Sequence, residues 1–470
     1  MIDIPSTTHF NDIRHVAMRW HAMAGSMLER VLRHRLAMAA LLVTVTFFVT
    51  VEIMVPPDPQ LPPPLDCSGR PKDTSLYSTL ILPPPNSSFS IWTYDFDEEY
   101  LRQGTISPSF RKGSFLSDDP GYTWEFLLAD VMRDRDGPFG PYIASDPSNA
   151  TLRLVPFYPT AYFHALLHEH DPDIYKKTDA YVDTVLGRVI GELPYWNHTL
   201  GRDHVYIFAH DNGMSLINNG RLRSLLSQGI FVGPLGSYRQ HDAFRPNKDV
   251  VVSPYDTDDS YRRRAYSGSI PDLRGRKTLC SFMGSVMPDA PEYSNGVRQH
   301  VYATHRNIPG FRIYSTDRPD PNESPPQYRD LLDSSIFCLY LAGWSPARWS
   351  GRLAHLLNAG CIPVVAIDDL ELPFEEFIRW ERIAVIVSEK QVLNGKLPDI
   401  LNAISQDERE RMAAGVREIA QILASPYVGN ARVERAQVDN KIYKPTNVFH
   451  FVIAALYARA KRFGLIEAVA

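Results

Sequence analysis

Residues 336–369 read IFCLYLAGWSPARWSGRLAHLLNAGCIPVVAIDD and decide the fold of this chain. Ile336–Leu341 is an apolar, β-prone run that predicts a buried strand. After a loop containing glycine and proline, Ala347–Ala359 has helical periodicity, and Gly360 stands in the place of a C-cap glycine. Cys361–Ile367 predicts a second apolar strand. The stretch is therefore one β-loop-α-β unit, and such units almost always make a parallel, right-handed crossover.

The polar ends of this unit predict a ligand site. Ligands of open parallel sheets lie outside the carboxyl ends of the strands, which here are marked by Gly343 and by the pair Asp368 and Asp369. The predicted helix N-terminus, with Ser350 and Arg352 in its first turns, suits a phosphate, because unpaired N–H groups and the helix dipole attract anions. The alternative is a purely structural unit in which Arg352 faces solvent.

Length and composition predict a globular protein of two or three domains. The chain has 470 residues, of which 44% are hydrophobic and 22% are charged. Its net charge of −5 gives no reason to expect nucleic acid as a partner.

The four cysteines favour buried thiols over a bridge. No CxxC pair occurs, which argues against a zinc ribbon. Cys338 and Cys361 lie within predicted strands, where a buried free thiol is common. Cys67 and Cys280 complete the set, and the sequence leaves the three pairing schemes open.

The N-terminal region predicts a membrane anchor and a stem. Residues 1–35 are polar and basic, and residues 36–55 form an apolar run long enough to span a bilayer as a helix. No lysine or arginine follows until Arg70, so residues 1–35 are expected in the cytoplasm. The long flank and the missing cleavage site favour a signal anchor over a cleaved signal peptide. The proline-rich residues 56–88 predict a semi-rigid stem.

The rest of the chain predicts two α/β domains, 89–265 and 266–430, and a C-terminal helical segment, 431–470. In the first domain, His210 and Asp211 directly follow a buried strand, where α/β domains keep their chemistry, although such residues also cap turns. Further predicted elements are strands at Thr278–Met283 and Gly310–Tyr314 and helices at Tyr181–Leu193, Asp407–Ala424 and Phe449–Phe463.

Sequons and histidines make two further predictions. The acceptor sequons at Asn86, Asn149 and Asn197 support a body that faces the secretory lumen. His164 and His168 lie four residues apart on a predicted helix, but the glutamate of a zinc-protease motif is missing between them. We therefore assign no metal ligands.

Several short motifs stand in a fixed order along residues 89–390. In the first half they are Val155-Pro156-Phe157-Tyr158, Tyr195-Trp196-Asn197, Gly201-Arg202-Asp203-His204, His210-Asp211-x-Gly213 and Lys248-Asp249-Val250. In the second half they are Phe282-Met283-Gly284, Gly343-Trp344-Ser345-Pro346, Ser350-Gly351-Arg352-Leu353, Gly360-Cys361-Ile362-Pro363-Val364, Asp368, Leu372-Pro373-Phe374 and Trp380. In this order the motifs resemble those of the exostosin-type (GT47) glycosyltransferase family.

The resemblance implies a GT-B-like fold of two Rossmann-like domains facing a cleft, preceded by the transmembrane helix and stem. The second domain would bind a nucleotide sugar, expected to be a UDP-sugar, and the first an acceptor glycan or glycoprotein. The terminal helix would fold back across both domains. The implied protein is a single-pass type II Golgi membrane enzyme that transfers a hexose or pentose with inversion, alone or as a homo- or hetero-dimer with another transferase.

Inverting transfer needs a base at the acceptor hydroxyl and positive charge at the departing diphosphate. The candidate catalytic residues are His210, Asp211 and, as an alternative, Asp95 at the end of the first strand. The candidate nucleotide-sugar-binding residues are Gly284, Gly343, Ser345, Ser350, Arg352, His355, Asp368 and Asp369. The two aspartates are candidates for sugar hydroxyls or for a divalent ion such as Mn²⁺, although GT-B enzymes generally need no metal.

Two departures from the family pattern qualify the expected activity. His355 stands where the family has the glutamate expected to contact the ribose, and arginines usual near Gly284 and Gly343 are missing, with Arg298 or Arg306 as candidates to replace the charge. A non-catalytic glycan-binding or scaffold subunit is therefore the alternative. A secreted hydrolase is weaker, because adjacent acids at a strand end point to opposite sides.

Overall fold

The computed structural model describes residues 76, 80–84, 87–96, 120–191, 195–239, 244–290, 292–322, 324–343, 348, 350–424 and 447–466. The predicted cytoplasmic tail, the transmembrane segment, most of the stem, Asn86 and Ser345 lie outside these residues. Within them, no helix combines the length and the apolar character needed to cross a bilayer.

Two parallel five-stranded sheets form the core of two lobes. The first lobe has the strand order β1-β2-β3-β4-β5, all parallel. These strands are β1 (Ile91–Thr93), β2 (Leu152–Val155), β3 (His204–Ile207), β4 (Ile230–Gly233) and β5 (Val250–Val251). Their nearly continuous burial is typical of parallel strands covered on both faces.

The second sheet has the order β10-β9-β8-β6-β7, again parallel. Its strands are β6 (Thr278–Gly284), β7 (Phe311–Ser315), β8 (Ser335–Leu341), β9 (Ile362–Ala366) and β10 (Val385–Ile386). The chain runs from β6 outward to β7 and then returns to place β8 on the other side of β6. The carboxyl ends of β6 and β8 therefore flank a topological switch point, where open α/β sheets bind their ligands. The prediction of an α/β fold with two sheets is confirmed.

Helices cover both faces of the sheets. In the first half they are α1 (Trp124–Val131), α2 (Pro159–His168), α3 (Ile174–Gly191), α4 (Trp196–Thr199), α5 (Gly220–Leu226) and α6 (Asp259–Ser267). In the second half they are α7 (Val297–His305), α8 (Tyr328–Asp333), α9 (Arg352–Asn358), α10 (Glu389–Leu393), α11 (Leu397–Ala403), α12 (Gln406–Leu423) and α13 (Val448–Arg462). Helix α6, which the sequence places in the first domain, packs against α9 and α12 of the second lobe.

The central β-loop-α-β unit is confirmed, with one correction. Helix α9 begins at Arg352, five residues later than predicted, because the Ser350 hydroxyl accepts the Arg352 N–H at 3.4 Å in a local turn that competes with helix. The helix ends as expected: Gly360 has φ +69°, and its N–H donates to the Leu357 carbonyl at 2.9 Å. The Cys361 N–H donates to the Leu356 carbonyl at 3.0 Å, which completes a Schellman motif.

The prediction of buried thiols at Cys338 and Cys361 is wrong, since the two form a disulfide with 5.9 Å between their Cα atoms. Strands β8 and β9 are neighbours, so Cys338 lies beside Pro363 and within reach of the residue that precedes β9. Sequence patterns place each cysteine in a strand but do not show that the two strands are adjacent. Cys280, in β6, is a buried free thiol.

The two lobes meet at the carboxyl ends of their strands, along a seam formed by residues 236–239 after β4 and 369–374 after β9. Ser237 and Leu370 form an antiparallel bridge. The Tyr238 N–H donates to the Asp369 carbonyl at 2.9 Å, and the Glu371 N–H donates to the Gly236 carbonyl at 2.8 Å. Because the strands within each sheet are parallel, their carboxyl ends, where α/β proteins bind ligands, lie on the side of this seam in both sheets.

Helix α13 returns from the end of the chain to the first lobe. Its Phe449 ring lies 5.8 Å from the Trp124 ring, and its Tyr457 ring lies 5.2 Å from the Phe89 ring. The Phe451 ring also packs 5.4 Å from Phe374, next to the seam. Burying aromatic side chains of this kind contributes about 1.5–3 kcal/mol each, so α13 is an integral part of the core.

Candidate functional site

Two arginines lie together at the switch point of the second sheet. The Arg298 and Arg352 guanidinium carbons are 5.4 and 4.8 Å from the centre of the Phe282 ring. Arg298 is held rigidly, because its two terminal nitrogens donate to the Ser285 and Leu341 carbonyls, each at 3.0 Å. The Ser285 carbonyl directly follows β6, and the Leu341 carbonyl is the last of β8. The ends of both strands therefore orient the Arg298 guanidinium.

The arginine pair has positive charge in excess. Among the described residues, neither guanidinium forms an ion pair with a carboxylate, and the buried Nε atoms of both lack a hydrogen-bond partner. Burial, together with the nearby Arg352 charge, lowers the pKa of Arg298 to about 10, while Tyr293 raises it. Arg298 therefore stays charged at neutral pH. Two cations without a counter-charge are costly unless an anion joins them.

Gly284 leaves the space that Arg352 fills. A Cβ added at Gly284 would lie 2.4 Å from the Arg352 Nη2 atom and 3.2 Å from the Phe282 ring. The predicted residues Gly284 and Arg352 are therefore brought into contact. Any side chain at position 284 would move the guanidinium.

Tyr328, on α8, connects Arg352 with His355. Its hydroxyl lies 3.2 Å from Arg352 Nη1 and 3.4 Å from His355 Nδ1. The other ring nitrogen of His355 is 3.6 Å from an Asp256 carboxylate oxygen. Burial lowers the pKa of His355 to about 4, against the opposing effect of Asp256, so the ring is neutral at physiological pH. His355 thus offers hydrogen bonds at this place but no fixed charge.

The loop after β8 contributes backbone groups. The Gly343 carbonyl accepts the Ser294 N–H at 3.1 Å, and Ser350 is half-buried beside the start of α9. The Tyr340 hydroxyl is buried near both arginines, and burial raises its pKa, so it stays neutral. Of the predicted site residues, Gly284, Gly343, Ser350, Arg352 and His355 therefore cluster at the ends of β6 and β8.

Asp368 and Asp369 have different partners. An Asp368 carboxylate oxygen accepts the Glu389 N–H at 3.2 Å at the start of α10. Asp369, with φ +59°, receives the Arg239 Nε at 2.9 Å from across the seam. The buried Arg348 forms an ion pair with Glu389. The two aspartates therefore have different hydrogen-bond partners, although both act electrostatically on Arg348. No group of three or more metal-ligating side chains occurs in the described part of the chain.

In the first lobe, His210 and Asp211 follow β3. An Asp211 carboxylate oxygen lies 2.6 Å from His210 Nδ1, and the imidazole stacks on Tyr122 with ring centres 5.3 Å apart. The His210 side chain is 9% exposed and that of Asp211 is 35% exposed, so Asp211 is the member that reaches solvent. Burial raises the pKa of Asp211, but hydrogen bonding and charge from His210 outweigh it and leave the pKa below its ordinary value.

Asp95, the alternative base, lies exposed after β1. Strand β2 lies between β1 and β3, which separates Asp95 from His210 by two strand spacings, or about 10 Å. The sequon residues Asn149 and Asn197 are both exposed.

The fully buried Glu125, on α1, holds the region behind His210. Its carboxylate accepts the N–H groups of Thr160 at 3.1 Å, Ala161 at 3.3 Å and Ala209 at 3.4 Å, as well as the Thr160 hydroxyl. The same hydroxyl accepts the His210 N–H at 3.1 Å. One side chain thereby joins the first turn of α2 to the end of β3.

Burial raises the pKa of Glu125 to about 8, against the lowering effect of its hydrogen bonds. The folded protein therefore binds this proton more tightly than the unfolded chain does. The resulting stability is fully present below the ordinary pKa of 4.5 and is lost as the pH rises through about 8.

Glu125→Gln cannot titrate, so we expect its melting temperature to vary less between pH 5 and pH 8 than that of the wild type. Thermal unfolding at several pH values measures this, with the exposed Glu410→Gln as the control. Equal pH slopes for wild type and Glu125→Gln would contradict the assignment.

Comparison with known proteins identifies the family. The sequence profile of the Exostosin GT47 domain matches residues 85–404, which is more than half of the chain. This chain belongs to the exostosin GT47 family. The resemblance in its short motifs is thereby confirmed.

Several plant proteins are similar to this exostosin-family chain. A probable glucuronosyltransferase of Oryza sativa subsp. japonica is 34% identical over 335 residues, covering 69% of this chain and 72% of the relative. Another from the same organism is 30% identical, covering 79% and 82%. A probable beta-1,4-xylosyltransferase of Arabidopsis thaliana is 28% identical, covering 74% and 79%. Among solved structures, Anabaena Alr3699/HepE in complex with UDP shares 12% identity with a TM-score of 0.32, covering 71% of this chain and 94% of that chain.

Some residues of this exostosin-family site are absent from the sequence-based candidates. Glu125, Tyr328 and Asp256 become visible only through contacts with residues distant in sequence. Glu125 does leave a signal, because it is a charged residue inside the apolar helix WEFLLADV. Arg298, named as a replacement for missing charge, lies beside Arg352, whereas Arg306 pairs with Asp320 elsewhere.

Proposed function

We propose that this protein is a glycosyltransferase that moves a sugar from a nucleotide sugar, a UDP-sugar, to a glycan or glycoprotein acceptor with inversion. The observation that carries the proposal is the pair of the buried Arg298 and the half-buried Arg352 at the switch point, neither of which has a carboxylate partner among the described residues. The names of the similar plant proteins, two probable glucuronosyltransferases and a probable beta-1,4-xylosyltransferase, support the reaction class.

A diphosphate leaving group fits the arginine pair. Negative charge develops on the diphosphate oxygens as the bond between the donor sugar and the diphosphate breaks. Fixed cations stabilise that charge without reorganisation. Arg298 is already fixed by two carbonyls, so it acts on the diphosphate through its positive charge more than through new hydrogen bonds. Within the described residues, the Arg352 guanidinium bonds only the Tyr328 hydroxyl, which leaves its other nitrogens for the ligand. We assign Arg352 to direct contact with the diphosphate.

The base is assigned to the His210 and Asp211 pair. Asp211 reaches solvent at the carboxyl end of β3, and the ring of His210 lies behind it. A carboxylate there would accept the proton of an acceptor hydroxyl held in the first lobe. The two lobes meeting along the seam then act as the halves of a GT-B enzyme, with acceptor on one side and donor on the other.

We place the described body in the lumen of the secretory pathway, as a Golgi type II membrane protein. Disulfides such as Cys338–Cys361 persist in oxidising compartments and are rare in the cytosol. The exposed sequon residues Asn149 and Asn197 and the predicted anchor at 36–55 support the same topology.

The proposal is tested by UDP release from a panel of UDP-sugars with the purified full-length chain and oligosaccharide acceptors. We expect release with at least one donor. Gly284→Ala places a Cβ 2.4 Å from Arg352 Nη2 and should reduce kcat/KM at least about tenfold. Gly187→Ala is the matched control, because its added Cβ meets nothing within 4 Å.

Two outcomes would contradict this assignment, and only the first of them favours the alternative of a non-catalytic subunit. One is the absence of UDP release with every donor and acceptor from a folded, UDP-binding chain. The other is release that Gly284→Ala leaves unchanged, which would place the chemistry away from the arginine pair.

A further inference from the structure

A cationic groove lies at the end of the second sheet opposite to the arginine pair. It has a volume of about 410 Å³, within the range of small-ligand sites. Its walls come from the segment before β6, the turn between α7 and β7, and β7 itself. Strand β6 has seven residues, so its amino end, where the groove opens, lies about 20 Å from the arginine pair.

The charges in this groove have one sign. Lys277, Arg306 and Arg312 line it, and none of its lining residues is acidic. The one carboxylate that pairs with these cations among the described residues is that of Asp320, 3.6 Å from Arg306. The groove therefore keeps an excess of positive charge on a chain whose net charge is −5.

The groove also has an aromatic wall and a sheet edge. Arg312 and Tyr314 alternate with buried residues on β7, so both side chains lie on its outer face. Arg312 donates to the Tyr314 hydroxyl at 3.3 Å, which holds the cation next to the ring. Strand β7 is the edge of its sheet and pairs only with β6 in the described structure. An aromatic face beside guanidinium groups suits a pyranose ring that carries an acidic group.

We propose that this groove binds an acidic stretch of a glycan, whose carboxylates or sulfates contact Lys277, Arg306 and Arg312. The site is separate from the arginine pair and goes beyond the proposed transfer reaction. It would hold a charged glycan on the outside of the second lobe and raise the local concentration of chains that reach the seam. A single acidic group would bind the groove weakly, and several acidic groups along one glycan strengthen the binding by contacting it at the same time.

Binding is measured by calorimetry with the full-length chain and three oligosaccharides of equal length: an oligoglucuronate, a sulfated oligosaccharide and a neutral xylo-oligosaccharide. The variant is Lys277→Glu/Arg312→Glu, which reverses two exposed charges. The control is Arg221→Glu/Arg263→Glu, which reverses two arginines whose side chains are 65% and 70% exposed elsewhere. UDP affinity and thermal unfolding are measured for each protein, and these do not depend on the groove.

We expect the acidic oligosaccharides to bind wild type and control, and to bind Lys277→Glu/Arg312→Glu at least about tenfold more weakly. Affinity should also fall as salt rises from 50 to 200 mM. Preference for the oligoglucuronate or for the sulfated chain tells which acidic group is recognised. Equal binding of the neutral chain, equal loss in the control variant, or equally tight binding of a single-stranded oligonucleotide or of anionic lipid vesicles would overturn the proposal. Failure of UDP release leaves this test intact.

Discussion

Replacing Arg352 with alanine is expected to lower kcat/KM for UDP release at least about a hundredfold, the loss typical of removing one preorganised donor at a developing anion. The reason is that the two arginines differ in their hydrogen bonds. The terminal nitrogens of Arg298 already donate to the Ser285 and Leu341 carbonyls and to the Tyr293 hydroxyl, 2.6 Å away. It cannot turn to replace the lost guanidinium. Steady-state kinetics with saturating acceptor, and calorimetric titration with UDP, measure the effect on transfer and on binding.

Two further variants make this test specific. Arg352→Lys keeps the charge but loses the planar fork and the bond to Tyr328, so an intermediate loss is expected. Arg263→Ala removes an arginine whose side chain is 70% exposed and should leave activity unchanged. If Arg352→Ala kept activity within about threefold of the wild type, the diphosphate assignment would be wrong.

Replacing Asp256 with alanine is expected to destabilise the fold by on the order of 3 kcal/mol, because it leaves buried groups without their partner. The Asp256 side chain is 1% exposed. Its carboxylate accepts bonds from Asn358 at 2.9 Å and from the Asp258 N–H at 2.9 Å, and it forms an ion pair with Arg329. The residue thereby ties the segment between the lobes to α8 and α9. Thermal and chemical unfolding measure the loss.

The matched control is Asp183→Ala, which breaks an ion pair with Arg221 whose side chains are 55% and 65% exposed. Exposed pairs of this kind contribute roughly 0–1 kcal/mol. UDP affinity should fall in Asp256→Ala as well, because α9 carries Arg352 at its first position. Equal melting temperatures for Asp256→Ala and Asp183→Ala would show that the buried network does not stabilise the native state.

The sequence predicted the parts of this molecule that depend on local patterns. Apolar period and a C-cap glycine are properties of neighbouring residues, so the strands around α9 and the end of that helix at Gly360 could be placed in advance. The helix start was wrong because a side-chain turn at Ser350 competes with helical periodicity.

The remaining features depend on which elements become neighbours. The Cys338–Cys361 bridge requires β8 and β9 to be adjacent, and the role of Glu125 requires contacts with residues 35 and 84 positions away in sequence. Arg352 was identified from a motif, but its pairing with Arg298 follows from the reversal of strand order at β6. Such neighbours are set by tertiary packing, which one sequence does not display.

Helix α13 sets the order in which this protein can mature. Its aromatic side chains complete a core that begins with Phe89, Trp124 and Phe139, yet it is made after all ten strands of the two sheets. At the usual pace of translation, the roughly 200 residues from the end of β5 to α13 take about 10–40 seconds to appear. During that interval the nascent first lobe has an uncovered apolar face, which makes it a client for chaperones. A premature stop before Val448 would leave that face open for good and direct the product to aggregation or degradation.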